Sequence, residues 1–260
     1  MSEPSPPASH CRARLVRRID YAPDHALFRF VPDEPFSFTP GQYATLGIPV
    51  PDAPRNVLQR PFSVASAPNE GHFDFLIERV DNGVFTPRLW SLDKGADVEV
   101  RRHEVEGPIL AQAAPRRRHV MAATGTGIAP FVSLVKAQTH ALSEGTIEGE
   151  PHQMLIIHGT SHAGEHGPCG EMLTDHAAKT NWLRYVPTVS RPWTSPEWDG
   201  ERGRTEDVLR KHMDAAEKMG PETAAVWTCG HPGMIAKVQQ IARRAGFASE
   251  HIMEEKYFHE

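Results

Sequence analysis

The sequence predicts two domains: an N-terminal antiparallel β-barrel with a short helix, and a C-terminal α/β domain built as a doubly wound parallel sheet. Three observations predict them. Up to about residue 102, short segments alternate apolar and polar residues between Pro, Gly, Asp and Asn, the pattern of half-buried strands. After QAAPRRR (112–118) the texture changes, and apolar strand-like runs alternate with helical ones, as in a parallel sheet covered on both faces. That second region opens with AATGTGIAPF (122–131), a strand running into a glycine turn and then a helix. The expected organisation is a flexible tail over 1–10, the barrel over 11–114 and the α/β domain over 115–260.

In the first region strands are expected at 12–19, 25–31, 43–49, 60–66, 72–80 and 97–102, with the short helix TPRLWSL at 86–92. In the second, HVMAA (119–123) leads into a helix from about 128 to 140. MLIIHG (154–159) precedes a helix at 171–179, LRYVPTVS (183–190) one at 205–213, and AAVWTC (224–229) one at 232–246. IMEEKYF (252–258) closes the chain as a strand.

Hydrophobic residues make up 39% and charged residues 23%, enough apolar material for a core and too much for global disorder. The formal charge of −5 gives no signal for nucleic acid, and Arg116, Arg117 and Arg118 read as a solvated face or linker. Cys11, Cys169 and Cys229 are too few and scattered for a disulfide framework and suit a reducing cytoplasm. A [2Fe–2S] cluster needs four thiolates, so no iron–sulfur cluster is expected. MSEPSPPASH lacks the apolar stretch of a signal peptide, and no window is apolar for long enough to span a bilayer. The expectation is a soluble cytoplasmic monomer with no membrane or nucleic-acid partner.

In TGTGIAP (124–130), Gly125 and Gly127 can take positive φ and let backbone approach a phosphate closely. The helix that follows offers free N–H groups and the positive end of its dipole. Pro130 falls in the first turn, where no intrahelical N–H is required. Taken alone, the pattern fits an ordinary strand-to-helix turn equally well. Its position, opening an alternating domain, favours a nucleotide, although the acidic residue that a Rossmann unit carries about twenty positions on is missing.

Five motifs stand in order: RPFS (60–63), GVFT (83–86), GTGIAP (125–130), CGHPGM (229–234) and an aromatic pair at 257–258. Together they resemble the short bacterial ferredoxin (flavodoxin)–NADP reductases of the FAD/NAD(P)-binding reductase superfamily, over nearly the whole chain. The resemblance implies that the barrel binds FAD and the α/β domain NADP(H). A hydride would pass between the two, and single electrons between FAD and ferredoxin or flavodoxin. It places Arg60, Pro61, Phe62 and Ser63 at the flavin, Arg60 neutralising the pyrophosphate and Ser63 beside N5. Phe62 keeps the stacking surface of the family's tyrosine without its hydroxyl, and a strand suits the motif because alternate side chains share a face. Gly83, Val84, Phe85 and Thr86 resemble a second phosphate clasp, Gly83 making a tight turn. Thr86 would cap the short helix and turn N–H groups towards phosphate, or serve as a helix cap alone.

By the same resemblance Thr124, Gly125, Thr126 and Gly127 hold the NADP pyrophosphate, with Cys229 and Gly230 at the nicotinamide. Cys229 would help bring the ring to within about 3–3.5 Å of flavin N5. Arg191 and Arg204, in the family's SR and GR positions, would hold the 2′-phosphate. That group carries roughly two negative charges, and arginine grips it through paired charge-assisted bonds. Ser161, in HGTS, stands where the family has a third arginine. Tyr257 would cover the isoalloxazine and act as a gate, Phe258 would stack on adenine, and Glu255 would handle protons or charge near N5. Ser63, Cys229, Glu255 and Tyr257 form the expected catalytic set.

Two other classes stand beside this one. The first is an NAD(P)H-dependent flavoprotein reductase serving an oxygenase or reducing free flavin. The second is a non-catalytic FAD-binding subunit, which the intact RPFS, GTGIAP and Cys229 oppose. His158, His162, His166 and Cys169 carry zinc-type donors, yet Gly159, Gly164 and Gly167 argue for a loop without helical spacing, and no metal site is expected.

Overall fold

The computed structural model describes residues 10–50, 53–102, 115–147, 149–215 and 219–256. The first sheet comprises β1 (His10–Ala22), β2 (His25–Pro32), β3 (Tyr43–Val50), β4 (Ala53–Ser63), β5 (Phe73–Glu78) and β6 (Asp97–Arg102). Their spatial order is β4-β3-β6-β1-β2-β5, and every pairing is antiparallel. The outer strands meet at a bridge between Val64 and Phe75, and the Ala65 N–H donates to the Asp74 carbonyl at 2.8 Å, which closes the sheet into a barrel. Helix α1 (Thr86–Trp90) packs onto it through buried Leu89.

The alternation read in the sequence decides what each face covers. In β2, Ala26, Phe28 and Phe30 fill the barrel with Phe73 and Phe75, while Leu27 points the other way into the core of the second domain. β1 runs longer than the expected 12–19, β4 begins before Arg60 and ends at Ser63, and α1 stops at Trp90 instead of residue 92. Pairing in the completed sheet sets these limits, and periodicity in one strand does not carry that information.

The second sheet is entirely parallel. It contains β7 (Arg118–Thr124), β8 (Gln153–Thr160), β9 (Leu183–Val189), β10 (Glu201–Arg202), β11 (Ala224–Gly230) and β12 (Ile252–Lys256), in the order β10-β9-β8-β7-β11-β12. The chain winds outwards from β7 to β10 and then crosses back to β11, so the topological switch lies between β7 and β11. Helices α2 (Ala129–Ser143) and α3 (Gly167–Lys179) cover one face, α4 (Thr205–Ala215) and α5 (Pro232–Arg244) the other. Met121 and Ala123 face the first pair, Val120 and Ala122 the second.

Helix α3 starts four residues earlier than the expected 171, and a short 3-10 turn covers Ala163–His166, so the glycines do not make this segment an open loop. Gly167 has φ 54°, and a Cβ there would meet the Tyr21 ring at 2.5 Å; tertiary packing outweighs the helix-breaking tendency of glycine. The two-residue β10 was not expected and is too short to leave a periodic signal. Tyr257 and Phe258 lie outside the described residues.

The barrel and the parallel sheet share a core. Leu27, Ala65 and Leu76 of the barrel belong to one buried cluster with Ile128, Phe131 and Val132 of the second domain. Polar contacts reinforce this seam: Ser133 Oγ donates to the Ser66 carbonyl at 2.6 Å, and Lys136 Nζ donates to Glu70 Oε2 at 3.0 Å.

Candidate functional site

Parallel sheets place ligands beyond the carboxyl ends of their strands, at the topological switch. Here that position is the crevice between the ends of β7 and β11. Strand β7 runs out at Thr124 into a 3-10 turn over Gly125–Ile128, and α2 follows with Pro130 in its first turn. Gly125 has φ 52°, as the sequence suggested for it. Gly127 serves a different purpose: its φ is not in the left-handed region, and a Cβ would stand 2.5 Å from the Cys229 carbonyl oxygen and 2.9 Å from Gly230 Cα. This glycine is needed so that the turn can lie directly on the end of β11.

The two motifs interlock further. Thr124 Oγ1 accepts the His231 N–H at 2.8 Å, and Gly230, at φ 125°, leaves room for that hydroxyl, which a Cβ would strike. Thr124, Gly125, Thr126 and Gly127 therefore form one surface with Cys229, Gly230 and His231, although a hundred residues separate the two segments.

Three side chains of the expected catalytic set converge beside this crevice. The β11–β12 register places Cys229 opposite Glu255, and the Cys229 thiol is 3.8 Å from Glu255 Oε2. Ser63, at the end of β4 in the barrel, donates to Glu255 Oε1 at 2.7 Å across the domain boundary. Burial pushes the Glu255 carboxyl above its ordinary pKa, while the hydrogen bonds from Ser63 and Cys229 pull the other way. Both Ser63 and Cys229 are buried.

The rest of the RPFS motif follows from the pleat. Arg60 and Phe62 fall on one face of β4 and Ser63 on the other, so Arg60 and Ser63 do not share a face. Phe62 packs on Phe85 at a centroid distance of 5.6 Å, which joins RPFS to GVFT, while Arg60 and Pro61 are exposed. In GVFT, the Gly83 N–H donates to the Val80 carbonyl at 2.9 Å, the tight turn expected, and Val84 is exposed. Thr86 does not cap α1. It is the first residue of that helix, and its hydroxyl instead accepts the Val80 N–H at 2.8 Å and so fastens the turn.

Arg191 and Arg204 stand at the far end of the sheet. The Arg191 N–H donates to the Ser161 carbonyl at 3.1 Å, and the Gly203 N–H donates to the Val189 carbonyl at 2.9 Å, which brings the SR, GR and HGTS segments side by side. Both arginines are exposed, and among the described residues neither side chain forms an ion pair. At Ser161 the sequence reading missed a neighbour: Glu165 Oε2 accepts the Ser161 N–H at 2.8 Å and the His162 N–H at 3.3 Å. A Glu three or four residues beyond these N–H groups was the signal available.

Among the described residues no group of three or more His, Cys, Asp or Glu is placed to hold a metal. His158 faces Tyr185 and Gly125, His162 faces Thr194, and His166 faces carbonyl groups. Among the described residues no helix is long and apolar enough to cross a membrane.

Comparison with known proteins gives the same two parts. Residues 12–109 match the oxidoreductase FAD-binding domain and residues 121–240 the oxidoreductase NAD-binding domain. A probable dihydroorotate dehydrogenase B (NAD(+)) electron transfer subunit of Methanopyrus kandleri is 31% identical over 234 residues, 89% of this chain and 74% of that protein. A ferredoxin–NADP reductase of Azotobacter vinelandii is 28% identical over 211 residues, 76% of this chain and 75% of that one. Among solved structures, a ferredoxin NADP+ reductase from Neisseria gonorrhoeae superposes with a TM-score of 0.78 at 20% identity, over 96% of this chain and 100% of that chain. The barrel whose edge carries the exposed Arg60, the glycine turn at the switch point and the two matching domain models lead to one conclusion: the chain belongs to the superfamily of two-domain FAD- and NAD(P)-binding reductases that includes the short bacterial ferredoxin–NADP reductases.

Proposed function

We propose that the protein is an FAD-dependent oxidoreductase that exchanges a hydride with NADP(H) and single electrons with ferredoxin or flavodoxin. The observation that carries this reading is the junction of Ser63, Glu255 and Cys229, where barrel and parallel sheet meet beside the nucleotide crevice. The residues fit the cofactor. Arg60 is an exposed guanidinium for a pyrophosphate, and the turn at Gly83 brings backbone close to the same edge of the barrel. When bound, FAD accepts two electrons as a hydride and releases them one at a time.

The chain's own groups orient and protonate. Thr124–Gly127 would receive the dinucleotide pyrophosphate, Gly230 would allow the close approach, and Cys229 would sit against the nicotinamide. Ser63 Oγ and the Glu255 carboxyl make a proton path that burial biases towards the protonated acid. Tyr257 and Phe258 would cover the flavin and adenine. Arg191 and Arg204 would supply the charge that recognises a 2′-phosphate.

A second reading, a reductase serving an oxygenase with NADH, is favoured by one observation: a carboxylate, Glu165, lies at Ser161 where a cation would help NADPH. Steady-state ferricyanide reduction with the two nicotinamides separates them. NADPH should exceed NADH in kcat/KM by at least about tenfold, ~1.4 kcal/mol. The double variant Arg191→Ala, Arg204→Ala should remove that preference while leaving the NADH value unchanged. Equal values for the wild type make the oxygenase-type reading the leading one, and no turnover with either removes the enzymatic reading.

A further inference from the structure

His158 is buried at the end of β8, 1% exposed, and plays no part in the chemistry described above. Its Nε2 lies 2.9 Å from the carbonyl oxygen of Gly125, the first glycine of the nucleotide turn. A carbonyl only accepts, so Nε2 carries the proton. Its Nδ1 lies 2.9 Å from the Tyr185 hydroxyl, which therefore donates. Burial and the neighbouring His166 hold the His158 imidazole well below its ordinary pKa, and burial pushes the Tyr185 phenol up. Both groups stay neutral, and every proton in the chain Tyr185–His158–Gly125 has one place.

The imidazole is also held mechanically. His166 packs edge-on against it with centroids 4.9 Å apart and brings its Nε2 to 3.2 Å from the His158 carbonyl. Trp198, from the loop between Arg191 and Arg204, stacks on the His166 ring at 5.1 Å. By contrast, among the described residues nothing lies within 4 Å of the position a Gly125 Cβ would take, so no side-chain packing among them sets this residue at φ 52°.

We infer that His158 is a positioning residue of the nucleotide turn, whose Nε2–H draws the Gly125 carbonyl inward and keeps it away from the dinucleotide pyrophosphate. In a planar trans peptide the C=O and N–H point in opposite directions, so drawing the oxygen inward directs the N–H edge outward. Without that bond, glycine's freedom permits a peptide flip that would aim a carbonyl dipole at an anion. The inference rests on the nucleotide reading given under the proposed function.

The test compares binding of NADP+ with that of adenosine 2′-monophosphate, which has no pyrophosphate, to FAD-loaded protein. His158→Met keeps the volume and removes the donor. It should weaken NADP+ about tenfold and raise the KM for NADPH, with kcat at saturation and the affinity for adenosine 2′-monophosphate within twofold of wild type. His158→Gln, whose amide reaches the Gly125 carbonyl, should restore NADP+ binding to within about threefold, and the shorter His158→Asn should not. Should the methionine variant fail to load FAD, the Gln and Asn variants make the same comparison. NADP+ binding unchanged in H158M, equal loss for both ligands, or Gln no better than Asn overturns the inference. A wild type that binds neither ligand overturns the nucleotide reading, and the inference with it.

Discussion

Replacing Gly127 with alanine adds one methyl group where the molecule has least room. That carbon would stand 2.5 Å from the Cys229 carbonyl oxygen, 2.8 Å from its carbonyl carbon and 2.9 Å from Gly230 Cα, all of them backbone. Ordinary contact begins near 3.4 Å, so the turn or the end of β11 must retreat by about 0.9 Å. Neither wall is a flexible side chain, and β11 is buried between β7 and β12. Overpacking of this kind costs about 1–3 kcal/mol; taking ~2 kcal/mol, the midpoint of thermal unfolding should fall by about 4–8 °C. The larger effect should be kinetic, because the atoms displaced belong to Cys229, and a misplacement on the order of 1 Å can cost about 100-fold in rate. Gly125→Ala is the control. Its Cβ meets nothing within 4 Å among the described residues, so the left-handed backbone at φ 52° is what penalises it, by about 1–2 kcal/mol. Thermal unfolding and ferricyanide reduction, measured on FAD-loaded protein, read both quantities. G127A with wild-type kcat and midpoint would refute the claim that this glycine exists to seat the turn on β11.

Two further predictions concern pH. Glu255 has its pKa raised by burial, so its contribution to stability is fully present below the unfolded value of about 4.5 and lost as pH rises through the folded value. Glu255→Gln should therefore be more stable than wild type at pH 7, with the gap closing as the pH falls to 4.5; urea unfolding across that range checks the sign. Asp74 behaves oppositely. Burial alone would raise its carboxyl, but the His72 ring, 3.4 Å away, the hydrogen bonds from Arg29 and the charges of Lys136 and Arg29 hold it well below the usual range. Arg29 grips it with two bonds of 2.8 Å. Asp74→Asn should cost about 3 kcal/mol at pH 7, the lower end for a broken buried pair because the Arg29 side chain is 30% exposed. That loss should diminish as the pH falls below 3.8, where the unfolded carboxyl takes up a proton that the folded, Arg29-bound one resists.

Much of the architecture was legible because it rests on short-range pattern. Phe28 and Phe30 alternate with Leu27 as a strand between two cores must, and the apolar run around Met121 fits a strand buried on both faces. The glycine turn was legible as a motif, but the reason for its second glycine was not. Gly127 answers to a carbonyl a hundred residues away, which no local propensity encodes. The same holds for Glu255, which could be read as a carboxylate near the site but not as the partner of Ser63, 192 positions distant. Thr86 misled because threonine at a helix start suggests a cap, whereas tertiary geometry gave its hydroxyl to Val80. The start of α3 was misplaced because the Tyr21 ring, from the barrel, fills the space that a Gly167 side chain would need.

The shared seam of Leu27, Ala65 and Leu76 has a consequence for biosynthesis. A ribosome delivers the barrel first, and about 40 more residues must be made between the end of β6, at Arg102, and the end of α2, at Ser143. At roughly 5–20 residues per second, that interval is about 2–8 s. Throughout it the barrel's inner sheet can pair and close, since all of its strands are present, but the apolar patch meant for α2 faces water. The newborn half is thus complete in its hydrogen bonding and incomplete in its surface. Its solubility during those seconds depends on a covering that only the second half of its own chain can bring.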